Sequence, residues 1–149
     1  MQFGVTVKGV NLSYKNIMVP VDLEHVETLE KALTIAADLA KHYGAAATAV
    51  SVTSAAPGSV AHNPTEFAEK LAKFAENQST ARGVSFASKA VVSNDPTIDL
   101  DDALEKAAGE LNADLIVMAS HVPGFWEHIF ASRGGYLASH SHISVLVVR

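Results

Sequence analysis

At 149 residues, with 48% hydrophobic side chains and a formal charge of -5, the chain is long enough to bury one real core and too acidic to favour nucleic acid as its main partner. It contains no Cys, which excludes disulfides and thiolate metal sites. No apolar run is long enough to span a bilayer, so membrane insertion is not expected. The first residues, MQFGVTVKGVNLS, lack the charged-then-apolar plan of a signal peptide, so the cytoplasm is the expected location.

Residues 1–13 alternate Phe3, Val5 and Val7, which fits a short strand; an N-terminal extension fits equally well, with the domain proper over 14–149. Ile17 to Val21 is an apolar run that ends at Asp22 and reads as a buried strand. A helix follows. Leu29, Ala32, Leu33, Ala36, Leu39, Ala40 and Tyr43 recur at the helical period, and Gly44 closes it as a C-terminal cap. Ala46 to Val52 is the second strand. Ser54 to Asn63 is a loop containing Pro57 and Gly58, and it leads into Asn63-Pro64-Thr65-Glu66. Asn at the cap, Pro at the first helical position and Glu at the third mark a helix start, with Phe67, Leu71 and Phe74 as the inner stripe and Arg82-Gly83 as the end.

Val84 to Val92 reads as the third strand. A turn with Asn94, Asp95 and Pro96 then precedes a helix from about Asp99 to Leu111, with Leu100, Ala103, Leu104 and Ala107 inward. Asp99, Asp101 and Asp102 suit the N-terminal end of its dipole. Leu115 to Ala119 is a fourth, buried strand, and Val145 to Val148 a fifth. A short helix is expected after Ser132, weakened by Gly134 and Gly135. This alternation predicts an α/β fold: one doubly wound, Rossmann-like parallel sheet with strand order 3-2-1-4-5. In such a sheet a ligand sits where the strand order reverses, here between the strand ending at Asp22 and the strand ending at Ala119-Ser120-His121.

Several stretches together resemble the universal stress protein family, over Tyr14 to Arg149. They are Pro20-Val21-Asp22, Ala119-Ser120-His121-Val122-Pro123, Ala131-Ser132, and the closing Ser144-Val145-Leu146-Val147-Val148-Arg149. The Ala-Ser-His-x-Pro loop is most similar to the F- and G-type branch, which includes a regulator paired with an osmolyte transporter. The resemblance implies a fold like that of the adenine nucleotide α-hydrolases and a cleft for ATP or AMP, with or without magnesium. It implies that Pro20, Val21 and Asp22 border the cleft, with the Asp22 carboxylate accepting from ribose hydroxyls or the adenine amino group. Val52 would wall the base and offer backbone polar groups, and Met118 and Ala119 would line the sugar. Ser120, His121, Val122 and Gly124 would form the loop, and Ala131, Ser132, Arg133 and Gly134 would face phosphates at a helix start. It further implies a homodimer through the C-terminal strand and a protein partner such as a transporter. An apolar edge strand over Val145–Val148 independently favours pairing with a second copy.

The sequence departs from the family's Gly-x-x-Gly and Gly-Ser pattern. Ala119, Val122 and Ala131 stand where glycines would let the backbone approach a phosphate, and Val tolerates positive φ badly. Gly124, Gly134 and Gly135 can shift the flexible points, and Arg133 adds positive charge. Some of these residues also have plainer readings. Asp22 can be a strand-end cap, Ser132 a helix cap, and Arg133 a solvated side chain. Phe125 and Trp126 can pack in the core, form a lid or face a partner. His121, His128, His140 and His142 crowd one region without matching a ligand spacing, so no metal site is expected. There is no Walker lysine, kinase signature or nucleophile elbow, and Ser120-His121 are adjacent, so no dedicated enzyme is expected. Three readings remain: a nucleotide-binding regulatory module, a nucleotide-free dimeric interaction module, and an α/β hydrolase or transferase of unrelated type.

Overall fold

Five parallel strands are built around the most apolar run in the chain. In the computed structural model, which describes residues 6–7, 10–11, 13–120 and 143–149, the first ladder pairs Thr6–Val7 (β1) with Val10–Asn11 (β2), antiparallel and apart from the main sheet. The main sheet comprises β3 (Asn16–Pro20), β4 (Ala46–Thr53), β5 (Phe86–Val92), β6 (Leu115–Ala119) and β7 (Ser144–Val148), all pairings parallel, in the order β5-β4-β3-β6-β7. Counted within the sheet this is the expected 3-2-1-4-5.

Ile17, Met18 and Val19 are all at most 2% exposed, as are Ile116, Val117 and Met118. Strands covered on both faces have no reason to alternate polar and apolar residues, which is why these runs are continuously hydrophobic. Among the described residues, three α-helices supply the covers: α1 (Glu30–Tyr43), α2 (Pro64–Arg82) and α3 (Pro96–Glu110). Arg82 of α2 reaches the Glu30 carboxylate of α1 at 3.0 Å, so these two share a face. Right-handed crossovers place α3 on the other, because the chain reverses direction across the sheet after β5.

Each boundary has a local cause. Gly44 and Gly83 adopt φ of 65° and 66° and close α1 and α2, a conformation that costs glycine little. The Asn63 side chain accepts from the Glu66 amide at 2.8 Å, as its sequence position predicts. Two expected bounds shift. The third strand begins at Phe86 rather than Val84, because pairing with β4 starts at Ala47↔Phe86 and the Ser79 hydroxyl takes the Phe86 amide at 2.8 Å. The helix expected from Asp99 starts at Pro96, where a ring with no N–H fits the first helical position. Its far end turns through Asn112 at φ 52°, with the Ala113 amide bonded back to the Ala108 carbonyl at 2.9 Å.

The amino-terminal end of the sheet is tied shut by one carboxylate. The two Asp114 oxygens accept from the Lys15 amide at 2.8 Å and the Asn16 amide at 3.0 Å. The Asp114 amide donates to the Asn16 carbonyl, and the Asp114 carbonyl accepts from the Ser144 amide, both at 3.0 Å. One residue thus joins β3, β6 and β7 at their starts.

Candidate functional site

At the opposite, carboxyl end the strands part. The chain runs from β3 to β4 to β5 in one direction and then from β6 to β7 in the other, so the order reverses between β3 and β6, which pair at Ile17↔Leu115 and Met18↔Ile116. Beside this point, over the ends of β3 and β4, lies a cavity of about 460 Å³. Its floor is Val21 and Asp22 after β3, and Ser51, Val52 and Thr53 of β4. Loop residues up to Ala61 form a wall, and Phe67 of α2 with Pro96 and Leu100 of α3 complete it. The first turns of both helices therefore meet the strand ends here.

The backbone of β4 presents polar groups to this space through the parity of the ladder. The Val50 carbonyl turns toward β3 and accepts the Val21 amide at 2.8 Å, while the Thr53 carbonyl turns the other way and accepts the Ser93 amide at 2.8 Å. Val52, two residues on from Val50, turns its amide and carbonyl to the β3 side, past the point where β3 has ended. The next carbonyl of that rail, Val21, is taken by the buried Ser51 hydroxyl at 2.8 Å. Ser51 is the one buried polar residue in the described core. Its hydroxyl splices the two strand ends where the ladder stops, which satisfies a polar group that burial would otherwise penalise.

Asp22 sits at the lip, its side chain 25% exposed. One oxygen accepts from the Glu24 amide at 2.9 Å, and the other pairs with His25 Nδ1 at 2.8 Å. The His25 amide donates to the Asp22 carbonyl at 3.0 Å, and the Thr28 hydroxyl donates to the His25 carbonyl at 2.7 Å, so the turn fixes both partners. The hydrogen bond to Asp22, and then the negative charge of Asp22, hold the His25 imidazole above its ordinary pKa; Glu27 and Glu24 add to this. A carboxylate keeps further lone pairs after accepting two bonds, so Asp22 can still receive hydroxyl donors from the cavity. Across the mouth, the Ser59 hydroxyl donates to the Glu24 carboxylate and ties the wall loop to the Asp22 turn.

Donor atoms of Asp22, Glu24 and His25 lie within 4.8 Å of one another. Those atoms are paired among themselves and with Ser59, and an exposed cluster of this kind accounts for itself without an ion. It also offers little of the octahedral oxygen set that magnesium demands.

The structure brings Val21, Asp22 and Val52 of the expected set together around the cavity, with Pro20 at the end of β3 just behind them. Met118 and Ala119 are 0% and 3% exposed and belong to the core beneath the strand ends. Ser120 donates its amide to the Val148 carbonyl at 2.9 Å, extending the β6–β7 ladder. His121, Val122, Gly124, Ala131, Ser132, Arg133 and Gly134 lie outside the described residues, as do Phe125, Trp126, His128, His140 and His142. The sequence does not single out Ser51, Phe67 and Leu100 as cavity residues, or His25 as the partner of Asp22. A signal existed for Ser51, a hydroxyl alone between Val50 and Val52 in a strand with both faces buried; none existed for His25, whose role depends on the shape of a turn.

The model of the universal stress protein family matches residues 13–149. Universal stress protein G of Escherichia coli O157:H7 is 28% identical over 147 residues, covering 91% of this chain and 99% of the relative. A crystal structure of a universal stress protein family member from Burkholderia pseudomallei is 27% identical, with a TM-score of 0.62, over 91% of this chain and 96% of that one. The universal stress protein of Archaeoglobus fulgidus in complex with dAMP is 20% identical, with a TM-score of 0.61, over 93% of this chain and 100% of that one. Two further neighbours, 19% and 15% identical, are solved with cAMP and with AMP bound.

Proposed function

Since the chain belongs to the universal stress protein family, we propose that it is a regulatory module that binds an adenine nucleotide, ATP or AMP, at the carboxyl end of its sheet and acts by dimerising and engaging a protein partner. The observation that carries this reading is the cavity bordered by Asp22 and by the outward-turned backbone of Val52. A carboxylate at the lip suits ribose hydroxyls, and a strand amide and carbonyl side by side suit the edge of a purine. Apolar Val21, Phe67 and Leu100 suit its faces. Adenine nucleotides held by other structures of this fold support the choice of base.

Ser120, His121, Val122 and Gly124, with Ala131, Ser132, Arg133 and Gly134, form a phosphate loop degenerate at Val122 and Ala131, so phosphates contribute less here than the nucleoside does. Magnesium accompanies ATP without a dedicated protein site. The domain spans 14–149, preceded by a segment that carries the short β1–β2 pair, and the cytoplasm is its location; among the described residues, no helix is long and apolar enough to cross a membrane. The dimer forms through β7, an edge strand whose Leu146 is 38% exposed. No catalytic role is assigned: Asp22 is paired with His25 at the nucleoside end, away from any phosphoryl chemistry.

Equilibrium binding of ATP and AMP to the purified protein, with and without magnesium, tests this. Saturable binding is expected, with AMP retaining much of the affinity of ATP. Absence of binding at millimolar nucleotide would leave only the second reading, a nucleotide-free dimeric interaction module, which the lost glycines favour.

A further inference from the structure

Asp22 and His25 are separated by a single turn, and nothing assigned above uses the histidine. Asp22 lines the cavity and His25 does not, while the imidazole holds the Asp22 carboxylate at 2.8 Å with its own side chain 41% exposed. The backbone of the same turn fixes that arrangement twice over, through the His25 amide to the Asp22 carbonyl and the Thr28 hydroxyl to the His25 carbonyl. A nucleoside seated in the cavity would strip most of the remaining water from the Asp22 carboxylate. Burying a carboxylate is costly unless a counter-charge and hydrogen bonds compensate. The imidazole is already hydrogen-bonded in place to do so, and once protonated its attraction for the carboxylate strengthens as water leaves.

We infer that His25 is the positioning residue for Asp22, and that closing a nucleoside over this carboxylate draws a proton onto the histidine, so that ligand affinity is greater on the acid side of its titration. The inference rests on the nucleotide reading of the cavity. The charged groups acting on the imidazole among the described residues are Asp22, Glu27 and Glu24, all acidic, and they favour the charged form before any ligand arrives. By linkage, a ligand that prefers the protonated form raises the midpoint of the histidine, and the same factor tightens ligand binding below that midpoint.

Adenosine is the probe, because it has no phosphate to titrate or to attract the imidazolium directly. The His25 ring resonance is identified by its loss in His25→Asn and followed by NMR from about pH 5 to 9, without and with saturating adenosine. Adenosine is expected to raise the midpoint by about half a pH unit, which corresponds to roughly threefold tighter binding of adenosine to the protonated protein. Asp22→Asn, measured without ligand, is expected to lower the midpoint toward its ordinary value, and His25→Asn is expected to bind adenosine with an affinity that no longer changes over this pH range. Adenosine that binds while the His25 midpoint stays still would overturn the inference and leave the nucleotide reading intact. An unchanged midpoint in Asp22→Asn would overturn it as well. Failure of adenosine to bind at all would overturn the assignment of the cavity itself, and the inference with it.

Discussion

The two ends of the parallel sheet use an aspartate in opposite ways. At the amino end, Asp114 spends both oxygens on the backbone amides of Lys15 and Asn16, and its own backbone completes the links to β3 and β7. At the carboxyl end, Asp22 spends its oxygens within its own turn, on the Glu24 amide and on His25, and joins no second strand. One carboxylate closes a sheet, and the other borders a cavity. The residue type is the same; what differs is whether neighbouring strands run together or diverge at that level. Parallel strands start in register under Asp114, whereas beyond Val21 the β3 chain turns away and β4 continues paired with β5 on its other side, its β3 side open.

If that contrast is right, Asp114→Ala should produce the largest loss of stability, roughly 2–4 kcal/mol from two charge-assisted hydrogen bonds, read from the urea midpoint, with nucleotide affinity of the folded fraction unchanged. Asp22→Ala should show the mirror image. Affinity for AMP should drop at least about tenfold by calorimetry, while the melting temperature moves little. Equal affinity in that variant would mean that the cavity is not the ligand site. Asn63→Ala, at the start of α2 beside the cavity wall, should cost about 1 kcal/mol of stability through the lost cap and leave binding nearly unaltered. In the same turn, the His62 amide and ring, and then Lys70, hold Glu66 below the ordinary carboxylate range. A lowered carboxylate stabilises the fold above its unfolded pKa and loses that contribution as pH falls through the folded value. Glu66→Gln should therefore flatten a shallow decline in stability on acidification, seen in melts between neutral pH and about pH 3. The smallest effect expected is a gain: Val122→Gly with Ala131→Gly should tighten ATP binding a few-fold without changing adenosine binding. Unchanged ATP affinity would show that those side chains do not obstruct phosphate.

Much of the sheet was legible because its signals are local. Continuous apolar runs as short as those of β3 and β6, bounded by turn residues, fit strands with both faces covered, and Gly44, Asn63-Pro64 and Gly83 mark helix ends by their own backbone chemistry. The start of β5 was misplaced because Val84 has the composition of a strand while pairing begins two residues later, opposite Ala47. Pro96 was assigned to a turn, although a proline fits the first turn of a helix equally well. The site was legible only in part. Asp22 and Val52, expected from a family resemblance combined with strand ends, both line the cavity, whereas Met118 and Ala119, expected beside a sugar, have their side chains in the core, 0% and 3% exposed.

What the sequence determined by itself was the alternation of strands and helices, the order of the sheet and the end at which its loops gather. Period, caps and crossover handedness act over short stretches and leave few topologies open. What only the tertiary structure decided was the set of groups that meet over the strand ends: the Ser51 hydroxyl on the Val21 carbonyl, Phe67 and Leu100 arriving from two different helices, and the imidazole of His25 on the Asp22 carboxylate. Those meetings depend on distances between segments far apart in the chain and on the shape of one turn, and no local pattern of residue types encodes either.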